Sequence, residues 1–87
     1  SNTFLYISDS KNNQVKRTDL RTGRIDLFAG SGTSFGDPGD FGPPKQASMK
    51  RPHGLLFDKY GNLMIGEDRR GLIRIVVFNS STPCLVG

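Results

Sequence analysis

The chain has 87 residues, one small domain at most, and a lone domain of that size buries only about 60–65% of its unfolded surface. Apolar residues are 34% of it, Trp is absent, and 11 Gly with 5 Pro favour many turns over long helices. A net charge of +4 is compatible with an acidic partner but too modest to single out nucleic acid. No apolar run approaches the ~18 residues of a spanning helix, and no signal peptide is present, so no membrane insertion is expected.

In chain order, residues 4–8 form a short apolar run, ended by Asp9-Ser10-Lys11-Asn12-Asn13, which predicts a strand and then a turn. Residues 14–18 read as a second strand with Val15 and Arg17 on one face. Asp19 to Gly23 is a turn in which Asp bonds its own backbone and Gly takes a positive φ. Residues 24–29 are a third strand, with Ile25, Leu27 and Ala29 alternating against Asp26 and Phe28. Residues 30–51 break the rhythm with five Gly and three Pro, a long loop with one helical turn around residues 45–49. Loops of this length in compact domains are functional or disordered. Strands then return at 54–58, 62–66 and 72–78, and a short one at 84–86. The turn at 58–62 is built like that at 19–23.

Seven strands and no segment with a sustained 3.6-residue apolar period give an all-β, antiparallel chain. The strands are apolar on both faces, as in Leu63-Met64-Ile65, whereas a sheet with one wet face alternates with polar residues. The chain also repeats itself. Leu5-Tyr6-Ile7-Ser8-Asp9 returns as Leu63-Met64-Ile65-Gly66-Glu67, and Val15-Lys16 returns as Ile73-Arg74, both at an offset of 58. Phe28-Ala29-Gly30 is echoed by Leu85-Val86-Gly87 at 57. Such self-similarity predicts stacked units that cannot bury their faces alone, so the chain is expected to be stable only within a longer chain, as a homo-oligomer or docked on a partner. Cys84 is the lone cysteine, which excludes an internal disulfide or a Cys-based metal site. It reads as a small buried hydrophobe in a strand, or as one half of a bridge to a cysteine elsewhere. Asn79-Ser80-Ser81 fits the glycosylation sequon.

Arg51-Pro52-His53-Gly54-Leu55-Leu56-Phe57-Asp58, then Gly61-Asn62-Leu63-Met64-Ile65 and Leu72-Ile73-Arg74, resemble an NHL repeat. The stretch from Leu5 to Val15 is similar to the second half of that pattern. Ala29-Gly30-Ser31-Gly32 followed by Gly36-Asp37-Pro38-Gly39-Asp40-Phe41-Gly42-Pro43-Pro44 resembles the long loop of some bacterial and extracellular NHL propellers, which favours an extracellular setting over a cytoplasmic one. Residues 4–78 carry the resemblance, with departures at Gly66 and at Arg69-Arg70-Gly71. It implies four-stranded antiparallel blades of a partial β-propeller: residues 1–30 the last three strands of one blade, 31–51 an inter-blade loop, and 52–87 a second blade. It also implies that Asp58 and Gly61 make the innermost turn, that Gly54 lets strands crowd at the axis, and that Asp9 and Glu67 close loops by bonding backbone amides.

Strand direction puts Lys11, Lys45, Lys50, Arg51, Arg69 and Arg70 on one face, with His53 near the channel mouth and Asp9, Asp37, Asp40, Glu67 and Asp68 among them. That charged face is the expected contact surface for a protein partner or for the remaining blades, and the chain reads as a non-catalytic interaction or scaffold segment. An RNA-binding face is the first alternative: Lys50 and Arg51 would meet phosphates, and Phe35 and Phe41 would stack bases or else anchor the loop. A channel-metal, lyase-like propeller enzyme is the second, with His53 as its single candidate ligand where zinc needs three or four. Gly30-Ser31-Gly32-Thr33 lacks the helix and the Lys-Ser/Thr ending of a phosphate loop, and Asp37 with Asp40 lacks the EF-hand spacing. With one His and one Cys, no nucleophilic triad is available and no cofactor is expected.

Overall fold

The computed structural model describes residues 3–36, 38–39, 41–78 and 83–86. The Asn79 sequon and the carboxylates of Asp37 and Asp40 lie outside them. The described chain is all-β. Strands β1 (Phe4–Asp9), β2 (Gln14–Asp19) and β3 (Ile25–Ala29) form an antiparallel sheet in that order. Strands β4 (Pro52–Phe57), β5 (Leu63–Glu67), β6 (Leu72–Val77) and β7 (Cys84–Val86) form a second. All seven expected strands are present.

The turns follow from their side chains. Asp19 Oδ1 accepts the Arg21 N–H at 2.9 Å, and Asp58 Oδ1 accepts those of Tyr60 (2.8 Å) and Asn62 (2.9 Å). Each carboxylate thereby replaces a backbone acceptor and closes its turn, with Gly23 and Gly61 supplying the left-handed residue. The strict alternation expected in β3 fails at one point. Val15 pairs with Ala29 and Lys16 with Leu27, so Phe28 is an extra residue in a bulge, and both Phe28 and Ala29 turn into the core. Gly54 also sits in a bulge, between the pairs Pro52–Glu67 and Leu55–Ile65. A Cβ there would meet nothing within 4 Å, so within this chain Gly54 answers to the bulge and not to crowding.

The two sheets share one core. Val15, Phe28 and Ala29 from the first pack with Leu63, Ile65, Val76 and Leu85 from the second, and Tyr6 sets its ring edge-on to both Phe28 and Phe57. Between β3 and β4 runs the long loop, and it is neither free nor structureless. Ala47, Ser48 and Met49 are buried in the same core. The helical turn is a 3-10 turn at Pro44–Gln46, ended by the extended backbone of Ala47. The loop is laced to both sheets: Gly30 and Ser31 N–H donate to Pro44 and Ala47 O, while Phe41 and Gly42 exchange backbone bonds with Leu85 of β7. We call it the strap. Cys84 stands half-exposed in β7 opposite Val77, which is less burial than a core thiol would have.

Candidate functional site

Where the strap crosses the second sheet it meets a buried charge cluster. Glu67, at the end of β5, and Arg74, in β6, are both almost fully buried and pair at 2.5 Å. Arg74 also donates to Ser48 O (3.2 Å) and Pro38 O (2.6 Å) of the strap. The half-buried Arg70 reaches Glu67 at 3.3 Å, Ser34 O at 2.9 Å and Ser48 Oγ at 3.2 Å. Glu67 Oε1 accepts the Lys50 N–H at 2.9 Å. A buried charge is tolerated when paired and hydrogen-bonded, and here each of Glu67, Arg70 and Arg74 also bonds the strap.

This corrects the expected role of Glu67. Its carboxylate bonds the strap, while its carbonyl oxygen takes the Arg70 and Gly71 amides that close its own turn. Asp9 likewise bonds the Asn12 side-chain amide (3.0 Å) and pairs with Lys16 (3.0 Å) rather than closing a backbone turn. The Asn12 amide, with Lys16 behind it, holds the Asp9 carboxyl below its ordinary value. The two pairs occupy corresponding places in the repeat: 9 and 67, and 16 and 74, are both 58 apart. Register agrees, since Ile7 faces Lys16 and Ile65 faces Arg74. One pair is covered by the strap and the other is part-exposed. Arg74 and Ser48 were not singled out by sequence reasoning, although the repeat spacing pointed at Arg74.

The expected contact residues divide among three depressions. Lys11, Lys50, Arg51 and Arg69 come together around a shallow basin of about 240 Å³, with Ser10, Asn13 and Ser34. Arg51 pairs with Asp68 at 3.5 Å. Lys45 lines a different, larger groove of about 630 Å³, with Arg17, Phe28, Pro43, Pro44 and Pro83. His53 lies in a third with Glu67, Asp68 and Leu72, and its carbonyl oxygen accepts the Ser8 hydroxyl. No group of three potential metal ligands occurs among the described residues. Arg70 belongs to the buried cluster and is committed inward. Phe35 and Phe41 are 77% and 74% exposed, so neither ring anchors the strap; Phe41 holds it through its backbone.

No family model matches the chain. It is similar to a curated Arabidopsis thaliana protein, Protein SUPPRESSOR OF QUENCHING 1, chloroplastic, at 33% identity over 76 residues. The match covers 86% of this chain and spans 7% of the length of that relative.

Proposed function

We propose that the chain is two adjoining units of an NHL-type β-propeller, the outer three strands of one blade and the whole of the next. It serves as a non-catalytic scaffold segment that offers its strap-bearing charged face to a protein partner. One observation carries this reading. The outward face of the first sheet (Leu5, Ile7, Lys16) corresponds, at the repeat offset of 58, to the buried face of the second (Leu63, Ile65, Arg74). Conversely, the buried Val15 and part-buried Tyr6 correspond to the exposed Ile73 and the Met64 beside it. Each unit therefore has a front and a back, and fronts are built to cover backs. A front and a back remain uncovered, which is the condition of an array that continues in both directions. Exposed Leu5, Ile7 and Ile25 on one side, and Leu56 and Ile73 on the other, fit that condition. Similarity to a short stretch of a far longer protein supports a module reading.

The test is the mass of the 87-residue chain in solution by light scattering. A discrete assembly whose units sum to a closed ring, or a chain that folds only when joined to further units, is the expected result. A monodisperse monomer with a cooperative melt would overturn the proposal.

A further inference from the structure

We propose that the basin at the junction of the two units is a binding site for a single phosphate-class oxyanion, held by Lys11, Lys50, Arg51 and Arg69. The proposal rests on the reading of this face as the contact surface and names the chemistry of what it contacts. The basin is assembled from three segments: the turn after β1 (Ser10, Lys11, Asn13), the strap (Ser34, Lys50, Arg51) and the turn after β5 (Arg69). Two of its cations are repeat equivalents, since 11 and 69 are 58 apart. The junction thus brings a cation from each unit to one depression.

The charge there is only partly neutralised among the described residues. Among the described residues, Lys11, Lys50 and Arg69 have no ion-pair partner, and Asp68 is the single carboxylate bound to a basin cation, at Arg51. Among the described residues, the two other carboxylates expected on this face are spoken for: Glu67 by Arg74 and Arg70, Asp9 by Lys16. Like charges gathered without counter-charge repel one another, and an arriving dianion relieves that repulsion while accepting several charge-assisted bonds. A phosphate monoester, with about −1.5 to −2 charges at neutral pH, supplies it.

The frame is also held for the purpose. Arg51 and Asn13 both adopt left-handed backbone (φ +56° and +58°), which side-chain-bearing residues rarely do. They are tied together by the Arg51 N–H to Asn13 Oδ1 bond at 2.9 Å, and Arg51 O accepts the Asp68 N–H at 3.0 Å. Ser34 is fixed through its carbonyl by Arg70. The depression is shallow, about 240 Å³, and Phe41 is held by its backbone to Leu85 of β7, on the far edge of the second sheet from β4.

The experiment is calorimetric titration of the complete protein with inorganic phosphate, and separately with a phosphoserine peptide and its unphosphorylated twin, at constant ionic strength. Saturable binding of inorganic phosphate, or of the peptide only when phosphorylated, is expected, and the two arms identify the source of the phosphate. Lys50→Ala and Arg69→Ala, both exposed, should each weaken binding about tenfold, and Lys11→Arg should retain it. Lys59→Ala, in the β4–β5 turn, should change nothing. No saturable heat with either probe would overturn the proposal. So would equal weakening by Lys59→Ala, or, in a further titration with single-stranded RNA over a range of salt concentrations, binding confined to the RNA and falling steeply with salt. A ring-sized mass without phosphate binding defeats this proposal alone, whereas a stable monomer defeats the scaffold reading.

Discussion

Glu67 and Arg74 show how one charge pair can have two values in a single chain. In the second unit the pair is buried and bonded to strap carbonyls; in the first, Asp9 and Lys16 pair at the corresponding positions but are part-exposed. Removing one member of a buried pair strands the other without water, at a cost of about 3–5 kcal/mol. Glu67→Gln should therefore lower unfolding stability by roughly that amount, measured by chemical denaturation. Lys16→Ala should leave the denaturation midpoint unmoved, because water replaces what it loses. Asp58 makes a pH-dependent contribution of the opposite kind, local and exposed. The Asn62 amide, followed by that of Tyr60 and the Asn62 side chain, lowers its pKa against a smaller opposing effect of burial. A carboxyl with a folded pKa below its unfolded value of about 3.9 stabilises the turn above that pH and stops doing so as acid takes it through the folded pKa. The amide resonances of Tyr60 and Asn62 should hold constant down to about pH 4 and shift together below it. Asp58→Asn should remove that transition.

At the scale of elements, the strap is the part least like its sequence. Its Gly and Pro content announced a loop, and nothing in that composition distinguishes a free loop from one stitched to two sheets. The distinction lies in Ala47, Ser48 and Met49, three residues with no period to reveal that they are core. Met49 is fully buried, and Met49→Ala should cost about 2–5 kcal/mol in chemical denaturation. Phe35→Ala, on an outward-facing ring, should cost nothing measurable. Equal and small effects would mean that the strap is a passenger. The strands were legible because apolar runs bounded by Asp, Asn and Gly leave few alternatives, and the two Asp turns were legible because an Asp side chain dictates its own backbone. The bulge that turns Phe28 inward was not, since alternation assumes an unbroken ladder. Strand direction puts Lys11, Lys45, Lys50, Arg51, Arg69 and Arg70 on one face, and of these Lys11, Lys50, Arg51 and Arg69 line one depression while Lys45 lines another. The diversion of Arg70 inward depends on where Ser34 and Ser48 arrive, which is a property of the folded strap.

For the whole molecule, the proposed reading makes its two open faces unlike each other, a front and a back. Self-complementary faces would make a two-fold dimer and stop; a front that fits a back makes a ring or a filament. Leu5 on the open front corresponds to Leu63, and Ile73 on the open back corresponds to Val15; Leu63 and Val15 share the core at the junction that is present. If the array continues by the same rule, Leu5 of one copy meets the neighbourhood of Ile73 of the next. Both side chains are more than half exposed in the single chain, so a charge at either position leaves its own two-sheet core intact. Leu5→Lys and Ile73→Asp should each abolish assembly of the 87-residue chain while preserving its β-sheet circular dichroism, because each buries an unpaired charge at every junction. Mixing the two variants distinguishes this geometry from general stickiness. A Leu5→Lys front meets an Ile73→Asp back with opposite charges, and the front and back left over are unmodified, so an equimolar mixture should recover the assembly that each variant alone has lost, with the two variants alternating. Loss of assembly in both variants with no recovery on mixing would mean that these faces are apolar without being each other's partner, and the array would have to be built by some other contact.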